Sequence, residues 1–144
     1  GAGPGSGIDR KTTVDRDAAI LLADAAEAAG VGRYLMVSAM GADEPAAGDD
    51  PVFTAYLAAK AAADEAVRGR SGLNTTIVRP GGLTDDPATG RVRVAESTGR
   101  GTIPRADVAA MLVALLDAPA TGGVTFELIS GDMSIAEAVA VLTP

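Results

Sequence analysis

The sequence predicts an α/β chain built on a parallel sheet, and three observations carry that prediction. Short, almost wholly apolar runs at 33–38 (RYLMVS), 73–79 (LNTTIVR) and 124–129 have the length and composition of strands buried on both faces. Longer segments with helical apolar spacing separate these runs. Helices alternating with strands require crossover connections, which build parallel sheets of one hand.

Taken in order, Thr12 or Thr13 is placed to cap a first helix that runs to Ala29, with Ile20, Leu21, Ala25 and Ala28 as its apolar face and Gly30 as its stop. The RYLMVS strand follows, then a polar loop, GADEPAAGDD. Pro51 suits the first turn of a second helix reaching about Arg68. The next strand ends in Pro80-Gly81-Gly82, a strong breaker. Arg91 to Ala95 is read as a short strand, and Ala106 to Leu116 as a helix packed through Val108, Met111, Leu112 and Leu115. Ser134 and Glu137 have the spacing of a capping box, which starts a last helix to about Leu142. No repeat or linker divides residues 1–144, so they are read as a single domain.

Composition removes several classes of function. The 144 residues hold no Cys and no His, which excludes disulfides, thiolate metal sites, His-ligated metals and His-dependent triads; no metal site is expected. The net charge of -7 and a pI near 4.4 argue against a nucleic-acid partner, since phosphate binding needs clustered Lys and Arg. No apolar run approaches the ~20 residues of a membrane span, and no signal peptide opens the chain. A cytoplasmic protein without membrane contact is expected. Its apolar content of 47% is enough for a sizeable core.

Tyr56 and Lys60 form the one spacing that points to chemistry. At i,i+4 on a helix the two side chains share a face. An ammonium beside a phenol favours the phenolate, so Lys60 is expected to lower the Tyr56 pKa from its usual ~10 and make the hydroxyl a proton donor or acceptor. Such a pair suits carbonyl reduction or alcohol oxidation. The motif also follows directly on the strand ending VSAMG and precedes one ending RPGG.

Other charged positions have plainer readings. Asp85-Asp86 offers carboxylates to a hard cation, but Thr-Asp-Asp-Pro is ordinary turn chemistry and is read so. Asp107, in the first turn of a helix, is read as structural. Arg79 either meets an anion or is paired within the fold.

The strings VSAMGADEP, YLAAKAAADEA, TTIVRPGGLTDDPATGRV and IPRADVAAMLVALLD resemble atypical short-chain dehydrogenase/reductases, of the NmrA-like and NAD(P)H-binding epimerase/dehydratase type. The likeness covers nearly the whole chain and implies the C-terminal part of a Rossmann fold, a parallel sheet with flanking helices. It implies that Tyr56 is the acid/base, that Lys60 tunes it and holds the nicotinamide ribose, and that Ser38 is the catalytic serine. Pro80, Gly81 and Gly82 would border the nicotinamide of NAD or NADP. The glycine-rich opening, with Gly1 and Gly3, resembles a loop that passes near the adenosine half of the cofactor.

The resemblance also implies what is missing. The phosphate-binding turn that follows the first strand of such folds has no counterpart, so weak or no cofactor binding is expected of this chain alone. The chain opens at Gly1 without Met, as a cut inside a larger gene product would. RYLMVS then becomes an apolar sheet edge, for which the missing N-terminal half or a second copy is the expected partner. The functions implied are an NAD(P)-dependent oxidoreductase or epimerase-like protein acting on a small molecule, a non-catalytic NAD(P)-binding regulator or sensor, or an interaction scaffold.

Overall fold

A computed structural model describes residues 2–3, 5–44 and 49–143. Gly1, and the middle of the predicted polar loop at 45–48, lie outside the described residues. The chain divides into two compact units, one of residues 1–32 and 41–73 and one of 33–40 and 74–144.

The first unit is helical. One helical run comprises α1 (Ile8–Arg10), a π-helical stretch (Lys11–Ala18) and α2 (Ala19–Ala28). It starts earlier than the predicted Thr12 or Thr13 cap. Gly7 occupies the cap position without a side-chain bond, and Thr13 lies inside the helix, where its hydroxyl donates to Asp9 O at 3.0 Å. Gly30, at φ 67°, takes the left-handed conformation that closes such a helix.

The predicted apolar face is corrected as well. Leu21 is 68% exposed and Ala25 and Ala28 are exposed, whereas Lys11, Asp15, Ala23 and Ala26 are buried. The buried line is set by a polar cluster at its first half and by alanines at its second, a pattern that a search for large apolar residues misses.

The helix α3 (Pro51–Arg68) has the predicted bounds. The Asp50 carboxylate accepts from Val52 N and Phe53 N, and Pro51 occupies the first turn, where its missing N–H costs nothing. Leu57, Ala59, Ala63 and Val67 are its buried apolar residues.

The second unit holds a five-stranded sheet. In chain order its strands are β1 (Tyr34–Val37), β2 (Thr75–Pro80), β4 (Arg91–Ala95), β6 (Thr125–Ser130) and β7 (Met133–Ser134). A separate parallel pair joins β3 (Gly82–Thr84) to β5 (Thr102–Pro104). The spatial order is β1-β2-β6-β4-β7. Pairings of β1 with β2 and of β2 with β6 are parallel, as alternation predicts, but β4 runs antiparallel to both β6 and β7. The sheet is therefore mixed, because β4 reaches it by an excursion after β3 rather than by a helical crossover.

Every residue of β2 is buried, as befits its central place between β1 and β6. At the end of the sheet, β1 buries Met36 and leaves Val37 partly exposed, so this strand is not buried on both faces. Val78, Val92, Phe126 and Leu128 of the sheet pack with Met111 and Leu115 of α4 (Arg105–Leu116) and Ala138 of α5 (Ile135–Leu142) in one core. Val108, Met111 and Leu115 of α4 are buried as predicted, with Leu112 partly buried against the same core.

At the start of α5 both arms of the capping box form: Glu137 N donates to Ser134 Oγ, and Ser134 N donates to the Glu137 carboxylate at 2.7 Å. Ser134→Ala removes one arm and loosens the other. The expected cost is about 1 kcal/mol, a fall of about 3–4 °C in Tm by thermal melt, and an unchanged Tm would show that the box contributes nothing.

Candidate functional site

In the first unit, α3 and the π-helical stretch bring five polar side chains together. Tyr56, Lys60 and Asp64 succeed one another at four-residue spacing on α3, and Lys11 and Asp15 do the same on the π-helical stretch. All four charged residues are buried, Asp64 completely and Asp15 to 2% exposure, while Tyr56 is partly buried. Two cations thus match two carboxylates, the condition under which charges survive away from water.

Lys11 Nζ stands 5.3 Å from the Tyr56 ring centroid, within cation–π range, and Phe53 lies against the same tyrosine at 6.1 Å between centroids. Lys11 Nζ also donates to Ala2 O at 2.9 Å and Gly3 O at 3.3 Å, and Ala2 N donates to both oxygens of Asp15. Gly3, predicted as a cofactor-loop glycine, is therefore drawn to the Tyr56 cluster by its backbone. Gly1 falls outside the described residues.

The electrostatics correct one expectation. Burial pushes the Tyr56 phenol above its ordinary pKa, and the negative charges of Asp15 and Asp64 add to the rise. Burial also lowers the Lys60 pKa, partly offset by the same two carboxylates. Lys60 does not make Tyr56 a phenolate here, because any ionised phenol would add a third negative charge to a buried, balanced cluster. Tyr56 is held as a neutral phenol.

In the second unit, the predicted Ser38, Pro80 and Gly81 meet at the carboxyl ends of adjacent strands. Ser38 N donates to Val78 O at 2.7 Å and Met40 N to Pro80 O at 3.3 Å. Ligands of open α/β sheets bind outside this end of the strands. The Ser38 hydroxyl is buried and has no hydrogen-bond partner among the described residues, a state that normally costs free energy. Gly81 has a structural reason to be glycine: a Cβ there would overlap the Gly101 carbonyl oxygen and crowd Ile129. Gly82 is exposed, and its N–H donates to Gly101 O.

The remaining charged candidates are accounted for within the fold. Asp85 receives Arg105 Nη1 at 2.6 Å on the surface. Arg79 is buried and in register with Glu127, whose carboxylate accepts from Thr98 N and Thr98 Oγ1. Asp107, fully buried, accepts from Thr89 N, Gly90 N and Thr89 Oγ1. Sequence reasoning missed Lys11, Asp15 and Asp64; the four-residue spacings were visible, but nothing in them told that they face one another.

A model of an NAD(P)H-binding family matches residues 2–119. Among curated proteins the chain is similar to an uncharacterised sugar epimerase, YhfK, of Bacillus subtilis, at 41% identity over 96% of this chain and 64% of that protein. Among solved structures it resembles a Bacillus halodurans protein provisionally assigned as an NAD-dependent epimerase/dehydratase. That match has a TM-score of 0.90 and 39% identity, over 98% of this chain and 66% of that one. The oxidoreductase YlbE of Lactococcus lactis superposes with a TM-score of 0.84 at 28% identity, over 99% and 64%.

The chain thus spans slightly under two thirds of each of these three relatives. The residues present fit the reacting end of a dinucleotide site, since a buried hydroxyl without a partner among the described residues lies at the carboxyl edge of the sheet. On the family match over most of its length, this chain belongs to the NAD(P)H-binding family, with the Rossmann-like fold and the oxidoreductase- and epimerase-like relatives of the atypical short-chain dehydrogenase/reductases.

Proposed function

We propose that this chain carries the reacting end of an NAD(P)-dependent oxidoreductase or epimerase-like protein, with Tyr56 as its acid. The observation that carries the reading is the placement of Tyr56 one turn from buried Lys60 on α3, with the phenol held protonated. A neutral phenol can protonate the oxygen of a carbonyl as it is reduced, which is general acid catalysis. The bound cofactor would supply the hydride.

In this reading Lys60 holds the nicotinamide ribose and keeps positive charge near the phenol, so that proton loss by Tyr56 is less costly than burial alone would make it. Ser38, whose hydroxyl has no partner among the described residues, is assigned to polarise the substrate. Pro80 and Gly81 are assigned to the nicotinamide border. The substrate class is a small carbonyl or alcohol.

Calorimetric titration of NADH and NADPH into this chain and into the full-length product of its gene tests the proposal. The full-length protein is expected to bind one of them, and this chain, which spans slightly under two thirds of the relatives named above, more weakly. Absence of binding by both proteins would sink the reading. Tight binding by this chain alone would overturn the assignment of the phosphate site to another part of the protein.

A further inference from the structure

The Tyr56 cluster contains two residues that the proposed chemistry does not use. Lys11 and Asp15 sit in an eight-residue π-helical stretch, a conformation rare in proteins and concentrated at functional sites. Burying a Lys and an Asp there is costly, and a fold that needed only helix packing would place apolar residues at these positions.

Their contacts show what they do. Asp15 grips the amide of Ala2 with both carboxylate oxygens, and Lys11 grips the carbonyls of Ala2 and Gly3 while its ammonium faces the Tyr56 ring. The backbone of the glycine-rich segment and the phenol ring are thereby fixed to the same four-residue step of helix.

We propose that Lys11 and Asp15 are positioning residues for Tyr56, a clamp that ties the Ala2–Gly3 backbone to the proton-donating ring within a charge-balanced cluster completed by Lys60 and Asp64. The clamp rests on the reading of Tyr56 as the acid. It deepens that reading by assigning control of the acid's protonation and orientation to a helix other than its own. Other charged groups of the neighbouring helical run do not share this role. Asp9 and Arg10 are exposed, Arg16 pairs with Asp17, and Asp24 and Glu27 pair with Arg70.

The balance of charge gives a signed test. The sequence has two tyrosines and no tryptophan, so in a Tyr34→Phe background the ultraviolet absorbance of tyrosinate reports Tyr56 alone, with no substrate or cofactor present. Asp15→Asn leaves two cations against one carboxylate, and the Tyr56 midpoint is expected to fall. Lys11→Met leaves one cation against two carboxylates, and the midpoint is expected to rise; Lys11→Arg keeps the charge and is expected to restore the parent value.

Protection of the Ala2 amide, followed by NMR hydrogen exchange, is expected to drop in Asp15→Asn. Should Asp15→Asn fail to fold by circular dichroism, the contrast of Lys11→Met with Lys11→Arg decides alone. Midpoints that stay put, or that move in the same direction in both charge-removing variants, overturn the clamp. That result would leave Tyr56 as the acid untouched, because the latter is judged by turnover and not by titration.

Discussion

Tyr56→Phe in the full-length product of the gene is expected to lower kcat for carbonyl reduction by about 10²–10⁴-fold, the usual worth of a positioned general acid. KM for the carbonyl substrate is expected to change little. Phenylalanine keeps the ring that Lys11 faces and that Phe53 packs against, so the substitution removes the hydroxyl and little else. The loss belongs to the transition state, where the proton moves, and so it appears in kcat and kcat/KM together.

The pH profile sharpens this result. A group whose pKa is raised stays protonated to higher pH, so a Tyr56 acid remains competent across the neutral range and loses its proton only above the ordinary ~10 of a phenol. Reduction is therefore expected to show no falling limb from Tyr56 between about pH 6 and 9, while alcohol oxidation, which needs the phenolate, rises with pH throughout that range. Steady-state kinetics in both directions would check it. Retention of activity within a few-fold in Tyr56→Phe would remove the tyrosine from the chemistry.

Much of the fold was legible where local chemistry leaves an unambiguous mark. Asp50-Pro51 starts α3, and Ser134 with Glu137 starts α5, because capping satisfies specific free amides and so requires specific residues. Strand β2 was legible because a strand buried along its full length is built almost wholly of apolar residues and small hydroxyls, with Arg79 near its end as the exception. The pair β3 and β5, of three residues each, and the two-residue β7 left no period to detect. The reversed direction of β4 was also invisible, since direction follows from how an excursion returns to the sheet.

The site was legible as far as its spacing on one helix. Tyr56 and Lys60 announced themselves by four-residue separation, but the electrostatic outcome depended on Asp15, more than forty positions away and on another helical segment, and on the depth of burial. A cation one helical turn along predicts a lowered phenol pKa. Desolvation and two facing carboxylates reverse it, and those are properties of packing. The same cause misled the apolar face of the first helix, where a paired charge cluster took the interior and Leu21 and Leu22 stayed at the surface.

Asp107→Ala is expected to destabilise the protein by about 3 kcal/mol, because it strands the Thr89 and Gly90 amides, for which no other described group is shown as acceptor, while the Thr89 hydroxyl keeps only its longer bond to Arg91 O. The carboxylate ties Thr89 and Gly90, just ahead of β4, to the first turn of α4, and Gly90 adopts φ 66°, a conformation few other residues would take there. Burial raises the Asp107 pKa, but the bonds from Thr89 N, Gly90 N and the Thr89 hydroxyl outweigh it and hold the group below the ordinary carboxylate value.

A depressed folded-state pKa contributes stability that is fully present above the unfolded value of about 4 and is lost as pH falls through the folded one. The parent protein is therefore expected to lose this contribution on acidification below about pH 4, and Asp107→Ala to lack it at every pH. The two unfolding curves, measured by urea titration from pH 7 downward, should converge towards acid. A gap that stays constant with pH would show that the Asp107 charge contributes nothing, and a gap under ~1 kcal/mol at pH 7 would show that water replaces the carboxylate at these amides.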